Sequence, residues 1–120
     1  MKPNQLERRL IQFSINVIVL CKQIDNSFAS EHLAKQLIRS TTSVALNYGE
    51  ARSGESKRDF LHKMKICLKE LRESHVNMKI QKGAVLILDI DSLNTLISES
   101  NELISIFVAS IKTATNKLKS

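Results

Sequence analysis

The sequence predicts an all-α fold: an antiparallel up-down-up-down four-helix bundle, built as one domain over residues 1–120. Three observations support this prediction. Four long segments repeat apolar side chains every three or four positions. The chain has one proline, Pro3, and three glycines, so few positions force a helix to end. With 120 residues, 42% of them hydrophobic, it can bury a core of its own.

The first helix is expected at about residues 4–25. Its apolar residues step by four and three in alternation, a seam that packs against other helices. The seam consists of Leu6, Leu10, Phe13, Val17, Leu20 and Ile24. Four further apolar residues flank it, namely Ile11, Ile15, Ile18 and Val19. A helix that is apolar nearly all round is buried on several sides, which in a chain of this size indicates a subunit interface.

The second helix is expected at about residues 30–52, with Ser30 as its N-cap. Its apolar stripe carries a hydroxyl and an amide, and two more polar residues lie alongside. Buried polar groups need hydrogen-bond partners, or each costs roughly 1–3 kcal/mol. We therefore predict a structural polar network of Ser40, Ser43, Asn47 and Glu50. Within it, Asn47 and Glu50 bond to each other or tie this helix to Lys or Arg on the third.

The third helix is expected at about residues 57–82, with Ser56 as its N-cap and Gly83 at its end. Four cations recur every seven residues along one face, and two further basic residues lie beside them. We call this set the basic strip: Arg58, His62, Lys65, Lys69, Arg72 and Lys79. The strip is long enough to follow a phosphate backbone. Alternatively, these side chains cover the edge of the apolar face, or pair with a neighbouring helix or subunit.

The fourth helix is expected at about residues 90–118, capped by Asp89 or Asp91. Residues 84–88 fit either a last helical turn or an apolar connector. The apolar seam of this helix is regular, and Leu96, Leu103 and Val108 add apolar area beside it. Together with the flanks of the first helix, this surplus predicts that bundles associate with one another.

Charge is concentrated in the middle of the chain. The net charge is +6. Residues 35–82 hold eleven Lys or Arg against five Asp or Glu, which accounts for the whole excess. A localised basic surface favours an anionic partner, most often nucleic acid. A solvated lysine-rich face would show the same composition.

Catalytic and metal-binding patterns are missing from the sequence. There is no nucleophile motif, no Gly-rich phosphate loop and no Glu-x-x-His pair, so we predict no catalytic residues, metal, cofactor or small-molecule substrate. Cys21 and Cys67 lie in apolar runs and are expected to be reduced and buried. No apolar run is long enough to cross a membrane, and the expected location is the cytoplasm.

A dense pattern in the second and third helices resembles the bacterial 23S rRNA intervening-sequence proteins. Its residues are Arg39, Ser40, Thr42, Ser43, Val44, Asn47, Tyr48, Glu50 and Ala51, then Ser56, Asp59 and Phe60, then Lys69, Glu70 and Glu73. The resemblance implies a bundle that assembles as a ring-like homopentamer and is not an enzyme. It also implies a distant relation to accessory proteins of diversity-generating retroelements, where a basic pentamer binds nucleic acid.

Two functions are consistent with these observations. The first is a non-enzymatic homo-oligomer that binds RNA or DNA electrostatically through the basic strip. The second is a homo-oligomeric scaffold for protein–protein interaction that binds no nucleic acid and uses the strip within the assembly.

Overall fold

Four α-helices account for nearly the whole chain. The structure is a computed structural model that describes residues 1–54 and 56–120. Helix α1 spans Pro3–Cys21, α2 Phe28–Arg52, α3 Lys57–Gly83 and α4 Ile90–Lys119. The described residues contain no strand. The predicted all-α class is therefore confirmed.

Consecutive helices run in opposite directions. Contacts between α2 and α3 reverse along the two helices, as the pairs Glu50–Lys63, Ser40–Ser74 and Leu33–Asn77 show. Helices α1 and α2 reverse in the same way, through Glu7–Arg52 and Ser14–Thr41. Helix α1 also contacts α4, where the Arg9 guanidinium donates two 2.6 Å hydrogen bonds to the Glu99 carboxylate. These contacts close an up-down-up-down bundle of four helices around one core.

The core follows the predicted seams, with one shift in α4. On α1, the seam residues from Leu6 to Leu20 are buried. On α4, the buried residues are Leu93, Leu96, Ser100, Leu103 and Phe107. Leu96 and Leu103, which the sequence suggested as exposed flanks, thus belong to the core, while Ile97 and Ile104 are half-buried at its edge. Leu96 and Ile97 both lie about one turn from Leu93 and Ser100, so the helical period alone does not decide which of the two faces inward.

Both cysteines are free and buried, as predicted. Burial raises the pKa of the Cys67 thiol to about 12 and that of Cys21 to about 11. Each thiol therefore stays protonated at neutral pH and packs as a small apolar side chain.

The turn between α1 and α2 differs from the sequence prediction. Helix α1 ends at Cys21 rather than near residue 25, and α2 begins at Phe28 with Ser27 as its N-cap. The Asp25 carboxylate accepts the backbone N–H of Ser27 at 2.9 Å, and the Ser27 hydroxyl accepts that of Ser30 at 3.1 Å. These two local bonds stabilise the turn at residues 25–27 and begin α2 at Phe28, earlier than the expected start at Ser30. Ser30 lies inside α2 and does not cap it.

Val85 ends α3 in an unusual way. Gly83, which the sequence suggested as the end, is the last helical residue, and Val85 follows with a φ of 56°. The N–H of Leu86 bonds to the carbonyl of Gln81, and that of Val85 to the carbonyl of Lys82. This is a Schellman motif with a β-branched residue at the position that favours glycine. Residues 84–89 then form the connector, and Asp89 caps α4 by accepting the N–H of Ser92.

Replacing Val85 with glycine should stabilise the fold. The left-handed conformation costs an L-residue roughly 1–2 kcal/mol, and part of the gain is lost to the greater freedom of glycine in the unfolded chain. We expect V85G to raise the free energy of unfolding by about 1 kcal/mol in urea titrations. V85A, which keeps a Cβ, should give a smaller gain. A V85G variant that is less stable than the wild type would show that the Val85 side chain makes contacts that outweigh the strain.

Candidate nucleic-acid interface

Helix α3 holds the basic strip on its outer face. The Ser56 hydroxyl accepts the N–H of Asp59 and begins a helix of 27 residues, about 40 Å long at 1.5 Å per residue. The inward face packs into the core through Leu61, Met64, Cys67, Leu71 and Met78. The helical period then places all six strip residues in solvent, where each is exposed. The cations therefore form a continuous ridge along the bundle.

The cations of the protein divide into four that form ion pairs and a larger set, including the strip, that form none with the described residues. Four cations elsewhere form ion pairs: Arg9 with Glu99 and Glu102, Arg39 with Glu70 and Glu73, Arg52 with Glu7, and Lys63 with Glu50. Within residues 1–54 and 56–120, no member of the strip pairs with a carboxylate. The charge of the strip is thus available to an external anion.

Two acidic residues of α3 bind Arg39 of α2. Glu70 is buried, with only 8% of its surface exposed, and accepts a hydrogen bond from Arg39 of α2 at 3.3 Å. Glu73 meets the same guanidinium at 3.3 Å. One arginine of α2 therefore pairs with two carboxylates of α3 and offsets one of their two negative charges.

His75 marks the edge of the strip on the α4 side. Its Nδ1 lies 2.8 Å from the Ser100 hydroxyl. Partial burial and the nearby Lys79 ammonium lower the pKa of the imidazole below its usual value. His75 is consequently neutral at physiological pH and adds no charge to the strip.

A family model for the 23S rRNA-intervening sequence protein matches residues 4–109. The chain belongs to this family. The match confirms the resemblance suggested by the α2–α3 pattern. The solved structures include a similar protein of unknown function from the S23 ribosomal protein family of Bacteroides thetaiotaomicron. It is 27% identical with a TM-score of 0.81, and the alignment covers 93% of this chain and 99% of that one. The search of curated proteins found no match.

The part of the chain that the structure describes contains neither a cluster of metal ligands nor a membrane-spanning helix. Among residues 1–54 and 56–120, no three side chains of His, Cys, Asp or Glu gather where they could hold a metal ion. Over the same ranges, none of the helices combines the length and apolar character that crossing a bilayer requires.

The residues that carry the family resemblance lie mainly where α2 meets α3. The buried Ser40 hydroxyl shares a 2.8 Å hydrogen bond with that of Ser74. Arg39 bridges to Glu70 and Glu73, as described above, and the Cys67 thiol lies 3.5 Å from the Val44 carbonyl. The pattern therefore describes how two helices of this family pack, and the exposed strip is a separate feature.

The predicted polar network falls into three separate sets of contacts. Ser40 bonds across to α3, whereas the Asn47 amide donates to the backbone and hydroxyl of Ser43, one turn earlier on its own helix. Glu50 is exposed and pairs with Lys63 at 2.6 Å. Among the described residues these sets share no hydrogen bond. The alternative in which Glu50 ties α2 to a lysine of α3 matches the structure, and a bond from Glu50 to Asn47 is not found.

The buried amide that joins two helices is Asn77, which the sequence analysis missed. It is 7% exposed and donates to the carbonyl of Leu33 at 3.0 Å. The fully buried Gln81 in turn donates to Asn77 at 2.7 Å. Asn77 and Gln81 are one helical turn apart on α3, in line with Ser74. This spacing in the sequence could have indicated a polar row on α3. It could not have shown which residues of α2 the row contacts.

Leucine substitutions at Asn47 and Asn77 should therefore differ in cost. N77L removes the bond across to the Leu33 carbonyl and leaves the buried Gln81 amide nitrogen without its partner, so we expect it to lower the free energy of unfolding by roughly 1–3 kcal/mol. N47L removes a half-buried amide bonded within its own helix and should cost less than about 1 kcal/mol. Chemical denaturation of the two variants side by side measures the difference. Equal losses would contradict the assignment of the buried amide to Asn77.

Proposed function

We propose that this chain is a non-enzymatic homo-oligomeric bundle that binds RNA or DNA electrostatically through the basic strip. One observation carries the proposal. Six basic side chains are exposed along one face of a single helix, and none pairs with a carboxylate of the described residues. Other exposed cations, such as Lys22 and Lys112, are also unpaired there but do not share that alignment. The family is named for intervening sequences of 23S rRNA, and membership in it is compatible with a nucleic-acid partner.

The oligomeric part of the proposal rests on α1. Its outward face carries Ile11, Ile15, Ile18 and Val19, which are 46%, 45%, 37% and 49% exposed. Four aliphatic side chains over nine positions form a contiguous apolar surface of the kind that marks a protein interface. On α4 the exposed large apolar residues are Ile90 and Val108, since Leu96 and Leu103 lie in the core. A second copy of this chain is the partner we propose for α1, and five copies is the number that the family resemblance implies.

The same apolar face is equally consistent with the alternative function, a homo-oligomeric scaffold for protein–protein interaction. Electrostatic binding to phosphates gives no reason for exposed isoleucines, whereas an assembly does. In that alternative the basic strip is used within the assembly and nucleic acid is not bound.

Light scattering coupled to size exclusion, with absorbance at 260 and 280 nm, separates the two functions. The proposal predicts an oligomer that carries nucleic acid at low salt and releases it at high salt, because counterion release weakens phosphate contacts. An oligomer free of nucleic acid at both salts, and unable to bind added oligonucleotide, would support the scaffold. A monomer of 13.6 kDa would contradict the role of α1 in both.

A further inference from the structure

The basic strip contains one aliphatic interruption. His62 and Lys69 are seven residues apart, and the next member of that row is Val76. It lies between Arg72 and Lys79 on the outer face and is 54% exposed, and Ile80, one turn later, is 51% exposed. Two half-exposed β-branched side chains within a row of cations are not explained by electrostatic contact with phosphates.

A groove runs beside this interruption, between α2 and α3. Its volume is about 550 Å³, within the range of small-ligand sites. Val76 and Ile80 form its apolar wall on α3, and Leu33 faces them from α2. The area open to solvent is therefore mainly aliphatic, which suits a flat apolar ring.

Polar groups surround the apolar wall at positions suited to a ring edge. The side chains of Gln36 and Glu73 line the same groove, beside the buried Asn77, whose amide already bonds to Leu33 and Gln81. An amide can donate and accept, and a carboxylate accepts from an amino group. Arg72, a member of the strip, reaches the groove as well, and its planar guanidinium can stack on a base or hold a phosphate. Arg39 also lines the groove, but Glu70 and Glu73 already neutralise its charge.

From these features we infer that the α2–α3 groove receives one unpaired nucleobase from a strand whose phosphates lie along the basic strip. The inference rests on the proposed function and makes it more specific, since the preferred partner becomes single-stranded nucleic acid. A base inside a duplex would have to leave its stack to enter the groove, at a cost of a few kcal/mol. A strip that contacts phosphates alone should instead favour the duplex, which carries more charge per unit length.

The test compares one labelled 20-nucleotide single strand with its blunt duplex, by fluorescence anisotropy at fixed salt. We expect the wild type to bind the single strand at least about fivefold more tightly than the duplex. The double variant V76S/I80S removes the apolar wall without touching a charge. It should bind the single strand roughly five- to tenfold more weakly and leave duplex binding within about twofold of wild type. A single strand with abasic positions should bind the wild-type protein no more tightly than the duplex does, because it offers no base to the groove.

L88S is the matched control, because Leu88 is 88% exposed and does not line the groove. It should bind both probes as the wild type does. Equal binding of both probes by the wild type, or unchanged single-strand affinity of V76S/I80S, would contradict base binding in the groove. Neither result would contradict electrostatic binding by the basic strip. A wild type that binds neither probe would instead overturn the proposed function, and the groove with it.

Discussion

Replacing Arg58, Lys65 and Arg72 together with glutamine is expected to weaken binding of a 20-nucleotide single strand roughly 100-fold near 0.1 M salt. The three residues are exposed and form no ion pair with the described residues, so the melting temperature should stay near that of the wild type. Glutamine keeps much of the side-chain length and a good helix propensity while removing the charge. The salt dependence should also decrease, because each lost phosphate contact removes about 0.7 from the slope for a single strand.

A second triple variant tests whether the loss of affinity depends on where the charges are removed or only on how many are removed. Lys22, Lys112 and Lys119 are exposed, lie off the strip and form no ion pair with the described residues. Changing them to glutamine lowers the net charge by the same three units. We expect this control to lose at most a few-fold in affinity, since long-range attraction is screened beyond about 10 Å at 0.1 M salt. Equal losses in the two triple variants would contradict a localised site on α3.

Introducing two carboxylates on the outer face of α1 is expected to abolish assembly. I11E/I15E places charges one helical turn apart where Ile11 and Ile15 are 46% and 45% exposed in the single chain. In the chain alone these positions tolerate a polar group, so the helical circular dichroism should be kept. In an interface each carboxylate would lose its hydration without a partner, at a cost of several kcal/mol.

Light scattering measures that effect as a fall of the mass to 13.6 kDa. L46E is its matched control, because Leu46 is 70% exposed on α2, away from the α1 surface. It should leave the oligomer intact. An unchanged mass for I11E/I15E would exclude the outer face of α1 as the interface.

Helix faces could be predicted from the sequence because they depend on local periodicity. The buried seam of α1 and the exposure of Arg58 and Lys65 on α3 both follow from the 3.6-residue repeat of a helix. The same logic predicted Ser56 as the N-cap of α3, where a single serine faces no competitor.

Helix ends were less predictable where several residues compete for one role. Ser27 and Ser30 are both good N-caps, and Asp25 favours Ser27 by holding its backbone in the turn. At the end of α3, Gly83 was the expected stop. The left-handed position falls two residues later, on Val85, where the hydrogen bonds of the Schellman motif close.

Contacts between helices could not be predicted from the sequence. Periodicity shows which face of a helix is buried, but not how that helix is aligned along its neighbour. Asn47 and Asn77 both lie near an apolar stripe in the sequence. Only the alignment of α2 on α3 shows that Asn77 is the buried amide. Val76 was missed for a related reason. In the sequence, one valine on a basic face does not indicate a binding site. The groove beside it is formed by residues of two helices and appears only in the structure.

Salt titration of wild-type binding tests the central claim most directly. Affinity for a labelled 20-nucleotide single strand would be measured by anisotropy from about 50 to 300 mM NaCl. If most of the strip contacts phosphates, log K should fall against log salt with a slope near −3 to −4, from about 0.7 per phosphate. Tight binding with a slope near zero, or no binding at 50 mM, would contradict an electrostatic role for the basic strip.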